Sequence, residues 1–235
     1  MRGDTKTDAL YGPMRERFSR GKGQANGYRY NGYFRAEQEL LSEYLSSDAG
    51  VTLDACCGSG IMLSPLMGTE RFVFGIDFNQ EACNAAQQNG FVILRGDVFR
   101  MPLADDSVDE IVNCQFFNQQ TNDGVHSFVQ ESLRVLKPGG RVILVWRNGR
   151  AAIHRLAHCI LSAADRVRGL PVFPQFTHDI SDVRSEIEKC GGEIEYSGVQ
   201  FAPFRWRTDR VESVSALLIG ASNVLVARKN AREDP

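Results

Sequence analysis

Four short clusters in this 235-residue chain carry residue types suited to chemistry, and each closes an apolar run. They are LDACCGSG (Leu53–Gly60), GID ending at Asp77, RGD ending at Asp97, and NCQFFN (Asn113–Asn118). The adjacent cysteines Cys56 and Cys57 allow a thiol site, a metal site or a ligand cradle. Neighbouring cysteines close only a strained disulfide and do not easily chelate one ion together. Cysteine is small and usually packs as a modest hydrophobe. The pair therefore reads as packing within a glycine loop, with a redox-sensitive thiol beside the ligand as the alternative.

The loop is not an ordinary phosphate cradle. A dinucleotide fingerprint needs a third glycine, and Gly58-Ser59-Gly60 is followed by Ile61-Met62-Leu63. No Gly-Lys-Ser/Thr follows either, so a P-loop is excluded. Asp54 stands immediately before the loop. A carboxylate there opposes a phosphate and suits a cationic ligand. Asp77, at the end of the next apolar run, can accept from both hydroxyls of a ribose. Asp97, followed by Val98 and Phe99, provides an acid, backbone N–H groups and apolar walls for an adenine ring. Ribose acceptor, adenine reader and cation-tolerant loop together describe S-adenosylmethionine.

These residues need a scaffold that brings strand ends together. VTLDAC, RFVFGID, FVILRGD, SVDEIVNCQ and RVILVWR read as five apolar strands. Between them, IMLSPLM starts a helix, NQEACNAAQQNG forms one capped by Asn79 and stopped at Gly90, and GVHSFVQESLRVLK forms one stopped by Pro-Gly-Gly. Continuous apolar strands alternating with helices indicate a buried parallel sheet. Residues 35–46 have helical spacing, as do AAIHRLAHCILSAADRVR and SDVRSEIEKCGG. The last two strands, EIEYSGVQFAPF and SNVLVARK, are joined by a short link and are expected to pair antiparallel.

Composition sets outer bounds. The net charge of −2 and a 43% hydrophobic share suit a globular protein and give no global attraction to nucleic acid. Residues 1–35 differ, with eight Lys/Arg against three Asp/Glu. The six cysteines show no disulfide framework, and neither a signal peptide nor a membrane span is evident. The expectation is a cytoplasmic protein with reduced thiols. His154 and His158 lie at helical i, i+4 spacing without an acidic third ligand, so no metal is expected.

Taken together, LDACCGSG, GIDFNQ, GDVFRMPLADDSVDEIV and LRVLKPGGRVILV resemble the class I S-adenosylmethionine-dependent methyltransferases. The likeness is to the small-molecule, methyltransferase type 11 group that includes ubiquinone- and menaquinone-pathway enzymes. It covers roughly residues 50–146. It implies a Rossmann-like α/β fold with a seven-stranded, mostly parallel sheet of order 3-2-1-4-5-7-6, helices on both faces and an N-terminal helical lid. The family loop carries glycine where this chain has Cys56.

By that resemblance residues 1–46 form an arm and lid helix and residues 47–235 the methyltransferase domain, with residues about 149–182 shaping the acceptor pocket. Asp54, Ala55, Cys56, Gly58 and Gly60 would line the methionine side of the cofactor. Asp77 would hold the ribose and Asp97 with Val98 the adenine, with Phe78, Phe99 and Cys114 as further cofactor-binding residues. Arg35 would pair with the cofactor carboxylate. Tyr28, Tyr33, Gln115, Phe116, Phe117 and Asn118 would meet the acceptor, although the two phenylalanines read equally well as plugs in the helix–sheet seam. No general base is assigned; His154 and His178 are the weak candidates, beside His126 and His158.

The expected reaction is methyl transfer to an O, N or C atom of a small molecule. The alternatives are an RNA or protein methyltransferase and a non-catalytic cofactor-binding module. Asn113-Cys114-Gln115-Phe116 lacks the prolines of amino-methylating and cytosine-methylating motifs, which disfavours a nucleic-acid substrate. The acceptor's identity and the choice between monomer and homodimer are not encoded in any motif.

Overall fold

The computed structural model describes residues 31–48, 50–167, 169, 176–201, 206–209 and 221–231. Within it, eight strands form one sheet: β1 (Val51–Ala55), β2 (Phe72–Asp77), β3 (Ile93–Arg95), β4 (Val108–Cys114), β5 (Leu136–Arg147), β6 (Gly192–Phe201), β7 (Trp206–Thr208) and β8 (Ser222–Lys229). Five helices accompany them: α1 (Asn31–Tyr44), α2 (Gln80–Gln88), α3 (Asn122–Val135), α4 (Ala152–Val167) and α5 (Ile180–Lys189).

The strand order is β3-β2-β1-β4-β5-β8-β6-β7. The first five are parallel, and β8 runs antiparallel to both β5 and β6. This is the expected 3-2-1-4-5-7-6 sheet, with β8 as its seventh strand. The three-residue β7 is added at the edge of β6, a pairing the sequence reading did not include. Buried side chains divide between the two faces. Phe128, Val129 and Leu133 of α3 and Val183 and Ile187 of α5 pack with Leu53, Ile111 and Leu144 on one face. Leu40 and Leu41 of α1 and Ala86 of α2 pack with Val112, Ile143 and Val226 on the other. Strands covered on both sides must be apolar throughout, which is why β1, β4 and β5 read as continuous runs.

Two local expectations are corrected. The stretch Ile61–Met67 does not start an α-helix; it makes one 3-10 turn, Ser64–Leu66. Met67 is already extended, and Gly68 follows with φ 82°, so the chain turns directly into β2. The helix before β5 ends at Val135, and Leu136 opens the strand. Val108 pairs with Leu136 and Glu110 with Arg141, so Lys137–Gly140 loop out of the ladder, helped by Gly139 at φ 77°.

The helix ends follow elementary capping. Asn79 accepts from the N–H groups of Glu81 and Ala82 at 2.9 and 3.1 Å, and Gly90 takes φ 77° just past α2. The sheet changes winding direction between β1 and β4. In open α/β sheets the crevice outside the strand ends at such a point is where ligands bind. Asp54, Asp77 and Asp97, the acids singled out in the sequence, lie at or just past the carboxyl ends of β1, β2 and β3 in turn.

Candidate active site at the switch point of the sheet

The glycine loop is built by the chain's need to turn sharply after β1. Cys56, Gly58 and Gly60 have φ values of 61°, 56° and 73°. The N–H groups of Cys56 and Cys57 both donate to the carbonyl of Ile76, at 2.8 and 3.2 Å. A β-carbon in the left-handed region costs roughly 1–2 kcal/mol, so Cys56 carries strain that the family glycine avoids. A side chain at Gly60 would meet the Phe91 ring at 2.6 Å, and one at Gly75 would meet Cys57 Sγ at 2.4 Å. Cys57 is therefore a packing wedge between the loop and β2.

Asp77 organises the loop from the neighbouring strand. Its Oδ2 accepts from the Gly58 N–H and its Oδ1 from the Asn79 N–H, each at 2.9 Å. Burial pushes its carboxyl above the usual carboxylate range, and the N–H groups of Asn79, Gly58 and Phe78 pull it back. Asp54 is in a harsher setting. It is only 2% exposed, and its Oδ2 has no hydrogen-bond partner among the described residues. Burial, and then the nearby Asp77, push it up to about 8. The thiols of Cys56 and Cys57 are likewise pushed well up, first by burial and then by the surrounding acids. They stay protonated near neutral pH, and a thiol is a poor nucleophile and metal ligand.

At the end of β3, Asp97 is exposed and its Oδ1 accepts from the Phe99 N–H at 2.9 Å. Val98 is buried in the main core, and Phe99 packs on Phe116 with ring centroids 5.9 Å apart. Past β4, Phe117 is fully buried against Phe128 and Trp146, and Phe116 joins the same cluster. Both rings fill the seam between α3 and the sheet. Asn118 is spent on backbone: its Oδ1 accepts from the Arg147 N–H and its carbonyl from the Phe176 N–H.

The two candidate histidines sit in different settings. His178 is buried, with Nε2 2.8 Å from the Gln120 carbonyl, while its own carbonyl accepts from Trp146 Nε1 at 2.9 Å. It ties the 176–179 segment to the loop after β4. His154 is half-buried, and burial, with the Arg147 charge, lowers it to about 4. It is a neutral, weakly basic ring at physiological pH. Arg35 is exposed on α1. Tyr33 also lies on α1, without a described side chain, and Tyr28 lies outside the described residues.

The sequence reading missed Glu37. It is 0% exposed, on α1. Its carboxylate accepts from Ser222 Oγ at 2.9 Å, from Gln115 Nε2 and from Cys114 Sγ at 3.5 Å. The next residue, Gln38, donates from Nε2 to the carbonyls of Ile61 and Met62. One turn of α1 therefore bridges the loop after β1 and the end of β4, the two sides of the switch point. The signal was present: Glu37 shares a helical stripe with Ala36, Leu40, Leu41 and Tyr44.

Residues 53–144 match the family model described as a methyltransferase domain. The match spans β1 through most of β5, with Asp54, Asp77, Asp97 and Cys114 inside it. Residues 53–144 are a class I S-adenosylmethionine-dependent methyltransferase domain. A probable S-adenosylmethionine-dependent methyltransferase of Mycolicibacterium smegmatis is 32% identical over 170 residues, 70% of this chain and 61% of that protein. A demethylmenaquinone methyltransferase of Oceanobacillus iheyensis is 31% identical over 112 residues, 43% of this chain and 46% of its own length. The chain thus spans less than two thirds of these curated relatives. Among solved structures, a Thermotoga maritima protein described as an S-adenosylmethionine-dependent methyltransferase and possible histamine N-methyltransferase superposes with a TM-score of 0.70. It shares 15% identity, with 94% of this chain and all of that one covered, a likeness of fold. Glu37, His154, His178 and Ser222 lie outside the matched segment of the methyltransferase domain and come from elements that fold onto it.

Proposed function

We propose that this protein transfers a methyl group from S-adenosylmethionine to a small-molecule acceptor. The observation that carries the reading is the buried Oδ2 of Asp54, which lies beside Asp77 and has no hydrogen-bond partner among the described residues. Uncompensated buried carboxylate is costly, and a cationic ligand relieves it. S-Adenosylmethionine brings a sulfonium and an ammonium, as well as a ribose diol for Asp77. The two N–H groups already on Asp77 leave acceptor capacity, since a carboxylate offers about four lone-pair sites. Asp54, Ala55, Cys56, Gly58 and Gly60 would hold the methionine end, Phe78 would flank the ribose, and Asp97, Val98 and Phe99 the adenine.

The sulfonium supplies an activated methyl group for in-line displacement. The chain's own task is then to position and desolvate. Glu37 and Ser222 fix the amide of Gln115 at the lip of the crevice, where its side-chain carbonyl can orient an acceptor. Cys114 and Asn118 set the floor of that lip, and the buried Phe116 and Phe117 keep it rigid and dry. His178 anchors the segment that follows α4, and residues about 149–182 would shape the acceptor pocket. The small-molecule class is supported by the demethylmenaquinone-methyltransferase relative and by the ordinary overall charge. No helix among the described residues is long and apolar enough to cross a membrane, which suits a site approached from water. A cytoplasmic setting is part of the same proposal.

Calorimetric titration with S-adenosylmethionine, S-adenosylhomocysteine and NAD in parallel tests the reading. Micromolar-range binding of the two sulfur compounds without NAD is expected. Silence from both overturns it.

A further inference from the structure

Away from the strand-end loops, three different ligating side chains converge on two helices. His126 stands in the second turn of α3. Glu186 and Cys190 stand one turn apart at the end of α5, on the same side of the helix, with Cys190 as its C-cap. His126 Nδ1 lies 2.5 Å from Glu186 Oε1, and Cys190 Sγ lies 3.8 Å from the same oxygen. One nitrogen, one oxygen and one sulfur atom lie within 4.8 Å of one another. Lys189 Nζ lies 3.5 Å from Glu186 Oε2.

We infer that His126, Glu186 and Cys190 form a binding site for a zinc-type divalent cation that clips α3 to α5. The donor set decides the class of ion. Magnesium and calcium take oxygen ligands, whereas thiolate with imidazole selects zinc and its softer neighbours. Three protein ligands leave one tetrahedral position for water. On binding, Cys190 forms the metal–sulfur bond and releases its thiol proton to solvent. The imidazole binds through Nδ1 once the proton that Nδ1 shares with Glu186 has left, to Nε2 of the neutral ring or, from the charged ring, to solvent. The carboxylate exchanges its contact with His126 for the metal, and Lys189 stays on its other oxygen.

The clip has a place in the architecture. α3 begins directly after the loop that follows β4, with Thr121 as its N-cap. α5 begins directly after His178, which is bonded to Gln120 of that loop. A metal between the helices would therefore fix from outside the two segments that His178 joins from inside. The assignment is independent of the methyl-transfer reading, because none of the three ligands touches the switch-point crevice.

The test is titration of the chelator-treated full chain with Co(II), followed by competition with Zn(II). A thiolate-to-cobalt charge-transfer band that saturates at one equivalent and is displaced by zinc is expected. Cys190→Ser should abolish the band, and His126→Ala should weaken zinc binding by more than the roughly 10–100-fold that even an outer-shell partner contributes. Cys159→Ser, at an exposed cysteine of α4, should leave both unchanged. No band, a band that survives Cys190→Ser, or binding only at millimolar metal overturns the site. Far-ultraviolet circular dichroism of each variant separates lost ligation from lost fold.

Discussion

Glu37 and Gln115 are joined by a hydrogen bond that ties α1 to the end of β4. The carboxylate is buried, and Gln115 itself has φ 62°, a conformation uncommon for any residue with a side chain. The strain persists because the side-chain amide is held by Glu37 and Ser222 and the backbone N–H by the Val145 carbonyl at 2.7 Å. Such over-determined strain is found disproportionately at functional positions.

Replacing Glu37 with alanine should therefore cost about 1–3 kcal/mol, because it removes the buried acceptor of the Ser222 hydroxyl and of the half-buried Gln115 amide. Glu37→Gln, which keeps an acceptor oxygen, should cost less. Denaturant unfolding measures both. The wild-type stability in Glu37→Ala would show that the carboxylate is not part of the folded network.

Asp54 makes the ligand-free protein sensitive to pH. Its folded pKa, about 8, lies above the ordinary 3.8, so its contribution to stability is complete below about pH 4 and is lost as pH rises through 8. Thermal unfolding of the free protein should show a midpoint that falls between pH 5 and pH 8, and Asp54→Asn should flatten that slope. A cationic ligand favours the ionised form. At pH 7 binding should release up to about 0.9 proton, the fraction bound by a group of pKa 8. Calorimetry in buffers of different ionisation enthalpy reads that number directly, and zero release would remove Asp54 from the ligand's surroundings.

Asp77→Ala separates ribose binding from loop architecture. The substitution removes the acceptor for the Gly58 and Asn79 N–H groups, so a loss of about 1–3 kcal/mol in stability is expected. Affinity for S-adenosylhomocysteine should fall at least about tenfold, the equivalent of roughly 1.4 kcal/mol. A variant that folds and binds normally would sink the ribose assignment.

The acids of the site were legible because each closes an apolar run, and a buried parallel strand must be apolar until it emerges. Glu37 was hidden by the opposite habit: a glutamate in an amphipathic helix usually faces water, and only its neighbours Leu40 and Leu41 betray the buried stripe. Phe116 and Phe117 were ambiguous, since aromatic rings after β4 suit a pocket or a seam, and packing against Phe128 and Trp146 is a tertiary fact. The missing helix after β1 has a local cause in Gly68, whose left-handed φ ends the turn at once. The convergence of His126 with Glu186 and Cys190 had no local signal, because sixty positions separate His126 from Glu186 in the chain.

The Cys57 wedge gives the sharpest test of the loop. A β-carbon at Gly75 would lie 2.4 Å from Cys57 Sγ and 2.9 Å from Cε1 of Phe91, with no flexible side-chain end to yield. Gly75→Ala should destabilise by about 1–3 kcal/mol, as overpacking of a dense core does. Cys57→Ala removes the sulfur and opens that space. The double variant should therefore be more stable than the sum of the two single losses, by a coupling of about 0.5–3 kcal/mol. The residual contacts to Cys57 Cβ and Phe91 keep the rescue partial. Four unfolding curves complete the cycle, and cofactor titration on the same samples links it to function. Additive losses would show that the two residues do not share this space, and the sulfur would then need another explanation at the centre of the cradle.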